Sequence, residues 1–147
     1  MPYYPPVGFH FRVEFQGIPG LQAQDAFFQE VSGLSRQLET EAIKSGGENR
    51  FSYALPLRAK YPNLVLKRGL FLDSAIIKWV DDAMLHMDIH PVTVMVTLLN
   101  ENHEPLQSYQ CVNAWPAKWS IAGLNAEKSE ILVENMELIY HYFNIIQ

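Results

Sequence analysis

The sequence predicts a β-rich (α+β) domain of sandwich or barrel type with one flanking helix, and three observations carry that reading. Short segments with apolar residues at every second position recur along most of the chain, from VGFHFRVEF to the closing EILVENMELIYHYF. Only about residues 71–87 switch to the 3.6-residue spacing of a helix. Strands and helices therefore do not alternate, which argues against a parallel α/β architecture. The 147 residues fall within the usual size of one domain, 1–147, and can bury a single core without disulfides or metal.

Each element has its own signal. In residues 7–15, Val7, Phe9, Phe11, Val13 and Phe15 share one face, with Gly8, His10, Arg12 and Glu14 opposite, as in a half-buried strand. Turn residues in GIPGLQAQD lead to a short strand, FFQEVSGL, that ends near Gly33. SRQLETEAIK and FSYALPLR flank the glycine-bearing SGGENR, predicting an extended hairpin over about 35–58. NLVLK is a strand that stops at Gly69, and the helix follows, with Asp73 or Ser74 as its cap. Leu72, Ile76, Trp79, Val80, Ala83 and Met87 mark the helix's buried face, and Pro91 limits its extent. VTVMVTLLN and LQSYQCVNAW form a second hairpin through ENHEP, PAKWSI is a proline-interrupted connection, and a single long strand closes the chain. About seven strands result.

Composition narrows the function classes. Nearly half the residues are apolar and 18% are charged, as in a folded domain, and a net charge of -5 runs against binding by phosphate neutralisation. Cys111 is the single cysteine, which leaves no internal disulfide and no thiolate cluster. The start MPYYPPVGFHF lacks the cationic and apolar regions of a secretory leader, so synthesis in the cytoplasm is expected.

Candidate chemistry is sparse, and no catalytic, cofactor-binding or metal-binding set emerges. His86 and His90 lie four apart with Asp88 between them, but Pro91 pulls His90 out of the helix, so a cation at the helix C-terminus is the better reading than a metal pair. Cys111 reads as a small buried apolar side chain, since no base is placed beside it. KSGGEN lacks the ordered spacing of a phosphate loop and precedes a strand, and Asp81 with Asp82 falls on the polar helix face. Tyr109, Trp115 and Trp119 offer a stacking platform for a small ligand or single-stranded nucleic acid on a monomeric barrel; packing in a core or interface explains the same rings. Lys67 and Arg68 sit at the strand-to-helix corner and point to opposite sides. Their expected partners are carboxylates, within the subunit or across an interface.

Taken in order, PPVGFHFRVEF, FQEVSGL, the GGEN loop, YPNLVLKRGL before a helix bearing Trp79, VMVTLLNENHEPL and NAWPAKW before an acidic terminal strand resemble the tail tube protein family over about residues 3–143. That family builds the inner tubes of contractile phage tails and of extracellular contractile injection systems. The resemblance implies two antiparallel sheets packed nearly orthogonally beside the helix, six copies closing into a ring around a lumen, and stacked rings. It implies no enzyme activity and no cofactor. The implied partners are other copies of the chain, sheath and baseplate proteins, and a protein or DNA cargo in the lumen.

The resemblance also implies assembly in the bacterial cytoplasm, with a phage tail or a released extracellular particle as the final location. A tube-initiator subunit at the baseplate is the alternative role. Ring stacking is expected of the loop Ser45, Gly46, Gly47, Glu48, Asn49 and Arg50. Glu39 and Glu41, and Glu130 and Glu134, are expected to share faces, either lining an acidic lumen that repels anionic cargo or lying on a solvated outer surface.

Overall fold

The computed structural model describes residues 10–21, 27–44, 52–69, 74–122 and 132–146. In chain order the elements are β1 (His10–Gln16), β2 (Phe27–Phe28), β3 (Glu30–Ser32), β4 (Gln37–Lys44), β5 (Ser52–Lys60), β6 (Leu64–Gly69), α1 (Ala75–His86), β7 (Val92–Leu99), β8 (Pro105–Ala122), β9 (Val133–Ile139) and β10 (Tyr142–Ile146). All strand pairings are antiparallel among the described residues. The principal strand order is β2-β1-β7-β8-β9-β6-β3, with β10 also on β8, and β4-β5 stands as a separate two-stranded sheet.

β8 joins the two main sheets. Its first part, Pro105–Ala114, pairs with β7 and β10, and its second, Trp115–Ala122, pairs with β9. The sequence reading ended this strand at Trp115, whereas the structure carries it 18 residues through Pro116. Two irregularities make the corner. The register on β7 slips between Val92 and Val94, beside Asn113, which holds a left-handed φ of 55° that asparagine tolerates better than most residues. The register on β9 slips again between Pro116 and Lys118, so the proline's missing donor falls where the ladder is already broken. NAWP is therefore the bend that passes one strand from sheet to sheet.

The expected single terminal strand is β9 followed by β10, interrupted at Tyr140 and His141, yet both pieces run along the same side of β8. Likewise, residues 27–34 give two short pieces in place of one strand, each on a different neighbour. These breaks raise the count to ten strands among the described residues.

The core lies between the sheets and the helix. It holds Val13 and Phe15 of β1, Leu64 and Leu66 of β6, Val92, Val94 and Val96 of β7, Met136 and Leu138 of β9, and Ile76, Trp79 and Val80 of α1. Alternation explains the strand contributions, because every second residue of β6 and β9 is buried. Trp79 meets Phe15 edge-on at 5.7 Å between ring centroids, and its Nε1 donates to the His90 carbonyl at 2.9 Å.

The helix starts where the sequence placed its cap: Ser74 Oγ accepts from the Ile76 amide at 3.2 Å. It ends with Met87 in a left-handed conformation, φ 54°, and Asp88 N donating back to the Asp82 carbonyl at 2.9 Å. Met87 is consequently exposed and does not belong to the buried face, whereas Ile76, Trp79, Val80 and Ala83 do.

Candidate assembly surfaces and the buried ion pair

Lys67 and Arg68 meet different environments because adjacent strand residues face opposite sides. Lys67 lies opposite Glu30 on β3, half-exposed, with Nζ 3.7 Å from that carboxylate. Arg68 lies opposite Glu134 on β9, and the pair is withdrawn from water, with 3% and 0% of their side-chain surface exposed. Arg68 Nε donates to Glu134 Oε2 at 2.9 Å, Arg68 Nη2 donates to Ser74 Oγ at 2.8 Å, and Trp119 Nε1 donates to Glu134 Oε1 at 2.7 Å. The guanidinium also sits over the Phe28 ring at 5.1 Å.

One buried ion pair thus ties together β6, β8, β9 and the cap of α1. The carboxylate compensates the guanidinium, and the hydroxyl and indole satisfy polar sites that would otherwise be desolvated without partners. Both cations have carboxylate partners inside the subunit, Lys67 on β3 and Arg68 on β9.

This network corrects the reading of Glu134, which faces the subunit interior and is unavailable to a lumen. Alternation on β9 was read correctly, but the sequence did not say which face is covered. The signal was an arginine on a strand that otherwise reads as core, since a buried cation needs a buried anion. Glu130, with the loop Ser45 to Arg50, lies outside the described residues.

Glu39 and Glu41 lie two apart on β4, Glu39 at a break in the register on β5, and their surroundings are not purely acidic. Gln37 pairs across to Lys60, and Arg58 Nε approaches Glu39 Oε2 to 3.9 Å. The opposite face has no charge through Leu38 with Ala59, Thr40 with Pro56, and Ala42 with Ala54. The hairpin makes no substantial contact with any other described element, and its described side chains are exposed or, at Glu39, half-exposed. Leu38, at 55% exposure, and Ile43, Leu55 and Leu57 stand in water. A two-stranded ribbon of this kind has little stability of its own and gains a core only when something covers it.

The remaining candidates resolve into packing. Tyr109 packs on Phe143 at 6.1 Å, and Trp119 Nε1 donates to Glu134, so both of these rings are engaged within the subunit. His90 pairs with Asp88 at 2.8 Å beyond the helix end, while His86 stays in its last turn. No group of three metal-ligating side chains occurs among the described residues. A cavity of about 370 Å³ lies between Gly17–Pro19 and α1, lined also by Lys78, Trp79, Asp82 and His90. No helix among the described residues is long and apolar enough to cross a membrane.

Cys111 is fully buried, and burial pushes its thiol up to about 12 from 9.0. Nearby Tyr140 is also shifted upward, first by burial and then by Cys111 and Tyr61. Because only the thiolate reacts, the native thiol should react with a disulfide reagent at pH 8 about a thousandfold more slowly than the denatured one. Comparing the two rates by absorbance checks this. The same shift has a stability consequence. The unfolded thiol ionises above about 9 while the folded one keeps its proton until about 12, so this contribution is full below pH 9 and is lost as pH rises through that window.

Residues 7–144 match the family described as T4-like virus tail tube protein gp19. Among solved structures, a chain of the anti-feeding prophage baseplate, determined by cryo-EM with six-fold symmetry imposed, is 28% identical with a TM-score of 0.78; the match covers 99% of this chain and 97% of that one. The tube-terminating cap of the same particle gives 24% identity, a TM-score of 0.77 and coverage of 100% and 94%. A chain of the sheath-tube complex of the PVC extracellular contractile injection system, in its extended state, gives 21%, 0.76, and 97% and 92%. The fold is also shared with Hcp1 from Flavobacterium johnsoniae, at 10% identity and a TM-score of 0.58. No curated protein sequence matches. These neighbours are structural components of contractile injection machines, not enzymes, in keeping with a chain whose polar motifs are spent on caps, corners and ion pairs. On the match over residues 7–144, the chain belongs to the T4-like virus tail tube protein gp19 family, a structural tube-protein family.

Proposed function

We propose that the chain is an inner-tube subunit of a contractile injection machine, six copies closing into a ring and rings stacking into a tube. The observation that carries this reading is the β4–β5 hairpin, which has exposed apolar residues on both strands and, among the described residues, no core to bury them in. A surface that cannot be satisfied inside one chain is an assembly surface. In this reading the loop Ser45–Arg50 reaches the adjacent ring, and Glu39 and Glu41 face the lumen together with Arg58 and Lys60. Sheath and baseplate proteins are the partners outside the ring, and cargo travels through the lumen. The machine assembles in the bacterial cytoplasm and works in a phage tail or as a released particle.

A tube-initiator role is the second reading. It is favoured by the 28% identity to a baseplate chain, above the identities to the tube-terminating cap and sheath-tube chains. The two roles differ in self-assembly: a main-tube subunit extends into filaments, and an initiator stops at one ring or a few.

Analytical ultracentrifugation over a range of protein concentrations tests the proposal. Species of six subunits and multiples of six are expected. A protein that stays monomeric and binds an oligonucleotide with steep salt dependence contradicts it and supports the binding-barrel alternative. Replacing Gly46 and Gly47 together with valine should cut stacking severalfold while leaving thermal unfolding of the subunit within about 1 kcal/mol of the parent, the range of surface changes. Sedimentation and thermal melts of the variant separate these effects.

A further inference from the structure

The cavity beside α1 is a groove between two separate elements. Ala75, Lys78, Trp79 and Asp82 are spaced i, i+3, i+4 and i+7, so they form one stripe of the helix. The turn at 17–19 faces that stripe and contributes Ile18 and Pro19, and a Cβ built at Gly20 would lie 4.0 Å from the Cβ of Ala75. His90 also lines the groove, its carbonyl accepting from the Trp79 indole at 2.9 Å. Ile18, Ala75 and Trp79 supply apolar wall, while exposed Lys78 and half-exposed Asp82 place one charge of each sign beside it. At about 370 Å³ the space is small for a ligand pocket and suits a few side chains of an extended peptide.

These walls favour proline and tyrosine. An extended proline-rich segment makes no hydrogen bonds of its own, so it docks in apolar, aromatic-walled grooves whose polar groups satisfy its carbonyls and remaining amides. A tyrosine ring buries its body and keeps a polar tip for a group such as Asp82 or His90. The chain holds one stretch of this chemistry, MPYYPP at residues 1–6, with three prolines and two tyrosines. No other segment outside the described residues contains either residue type. Tyr4 and Pro5 each precede a proline, which biases both towards extended backbone.

The stretch and the groove belong to opposite ends of β1. Residues 1–9 lead into His10, which pairs with Leu99, whereas the groove begins directly after Gln16, which pairs with Thr93. Six steps of strand separate these ends by about 20 Å. Tyr4 lies six residues before His10, so even a fully extended chain gives it a reach of only about 20 Å, with no length left to reverse direction. The groove of its own subunit is therefore out of range. A second copy placed end-on brings its groove to the start of β1.

We infer that residues 1–6 of each subunit dock in the groove between the turn at 17–19 and α1 of a subunit in the adjacent ring. The inference rests on the stacked-ring reading above and adds a contact between rings that is separate from the 45–50 loop. Joining two different surfaces of identical chains is a head-to-tail contact, and repeated end-on it extends from ring to ring without closing.

Cross-linking tests this with the full chain. Tyr3→Cys or Tyr4→Cys is combined with Lys78→Cys, an exposed groove position, and the assembled protein is treated with a short bismaleimide; Cys111 is buried and does not compete. Stacked rings separated on a gradient should give covalent oligomers that require both cysteines, and single rings from the same preparation should give none. Deleting residues 2–6, or filling the groove with Ala75→Leu, should cut the fraction of protein in stacks about tenfold while hexamers and the subunit's thermal melt are retained. Links formed equally in single rings, thiols consumed within one chain, stacks undiminished by the deletion, or rings that never stack overturn the docking and leave the six-fold ring standing. A protein that never forms rings overturns both.

Discussion

Replacing Arg68 with alanine is expected to destabilise the subunit by about 3–5 kcal/mol, because it strands the Glu134 carboxylate in the core with its charge uncompensated. The loss extends past the pair. Arg68 also donates to the hydroxyl that caps α1, so the cap, the β6–β9 register and the Trp119 indole are perturbed together. Glu134→Gln should also be costly, since the amide keeps the shape and an acceptor for Trp119 but removes the carboxylate charge that Arg68 Nε faces at 2.9 Å. Against a total stability on the order of 5–15 kcal/mol, either change should lower the urea midpoint sharply.

The double variant Arg68→Met with Glu134→Leu decides how the cost arises. Removing both charges and filling the space with apolar groups should destabilise less than either single change, a coupling of several kcal/mol in a double-mutant cycle. Single changes costing under about 1 kcal/mol would show that the pair is not held as described. Chemical denaturation with matched m-values is the measurement.

Gly33→Ala is the second large effect. Gly33 has φ +93°, and a Cβ built there would lie 2.1 Å from the Asn63 carbonyl oxygen, a backbone atom that cannot swing aside. The backbone strain contributes about 1–3 kcal/mol and the steric clash about 1–3 kcal/mol more, so the variant should lose about 2–6 kcal/mol. The same residue's carbonyl accepts from the Ser35 amide at 2.8 Å and from the Tyr140 hydroxyl at 3.4 Å, so movement of this turn disturbs the base of the hairpin as well. A thermal melt of Gly33→Ala within 1 kcal/mol of the parent would show that the turn and Asn63 separate without cost.

The residues explain which parts of this architecture can be read in a sequence. Alternation gives β1, β6, β7 and β9, because a strand with one covered face must repeat every two residues. The helix was legible to within a few residues at its start, where Asp73 and Ser74 were both candidate caps and Ser74 is the one used, and nearly to its last residue through Pro91. What escaped was long-range. Pro116 looks like a strand terminator until β9 is seen to slip register around it. Met87 fits the helical stripe by count, but the chain turns left-handed there before its side chain can reach the core.

Glu134 shows the same limit at the site. The pattern Glu130, Val133, Glu134 states that two acids lie on a strand but not that Arg68 waits on the facing strand, which depends on a pairing 66 residues apart. For the hairpin, both strands and their weakly apolar character could be read from the residues. It did not reveal that one face is free of charge through Leu38, Thr40, Ala42, Ala54, Pro56 and Ala59, because that requires the register of β4 on β5.

Cryo-EM of the purified protein tests the central claim most directly. Class averages viewed down the symmetry axis should show six subunits around an open lumen, with side views showing rings stacked at a constant repeat or, for an initiator, one ring or a short stack. Particles no larger than a single 16.9 kDa chain at every concentration, or closed assemblies without six-fold symmetry, would contradict it.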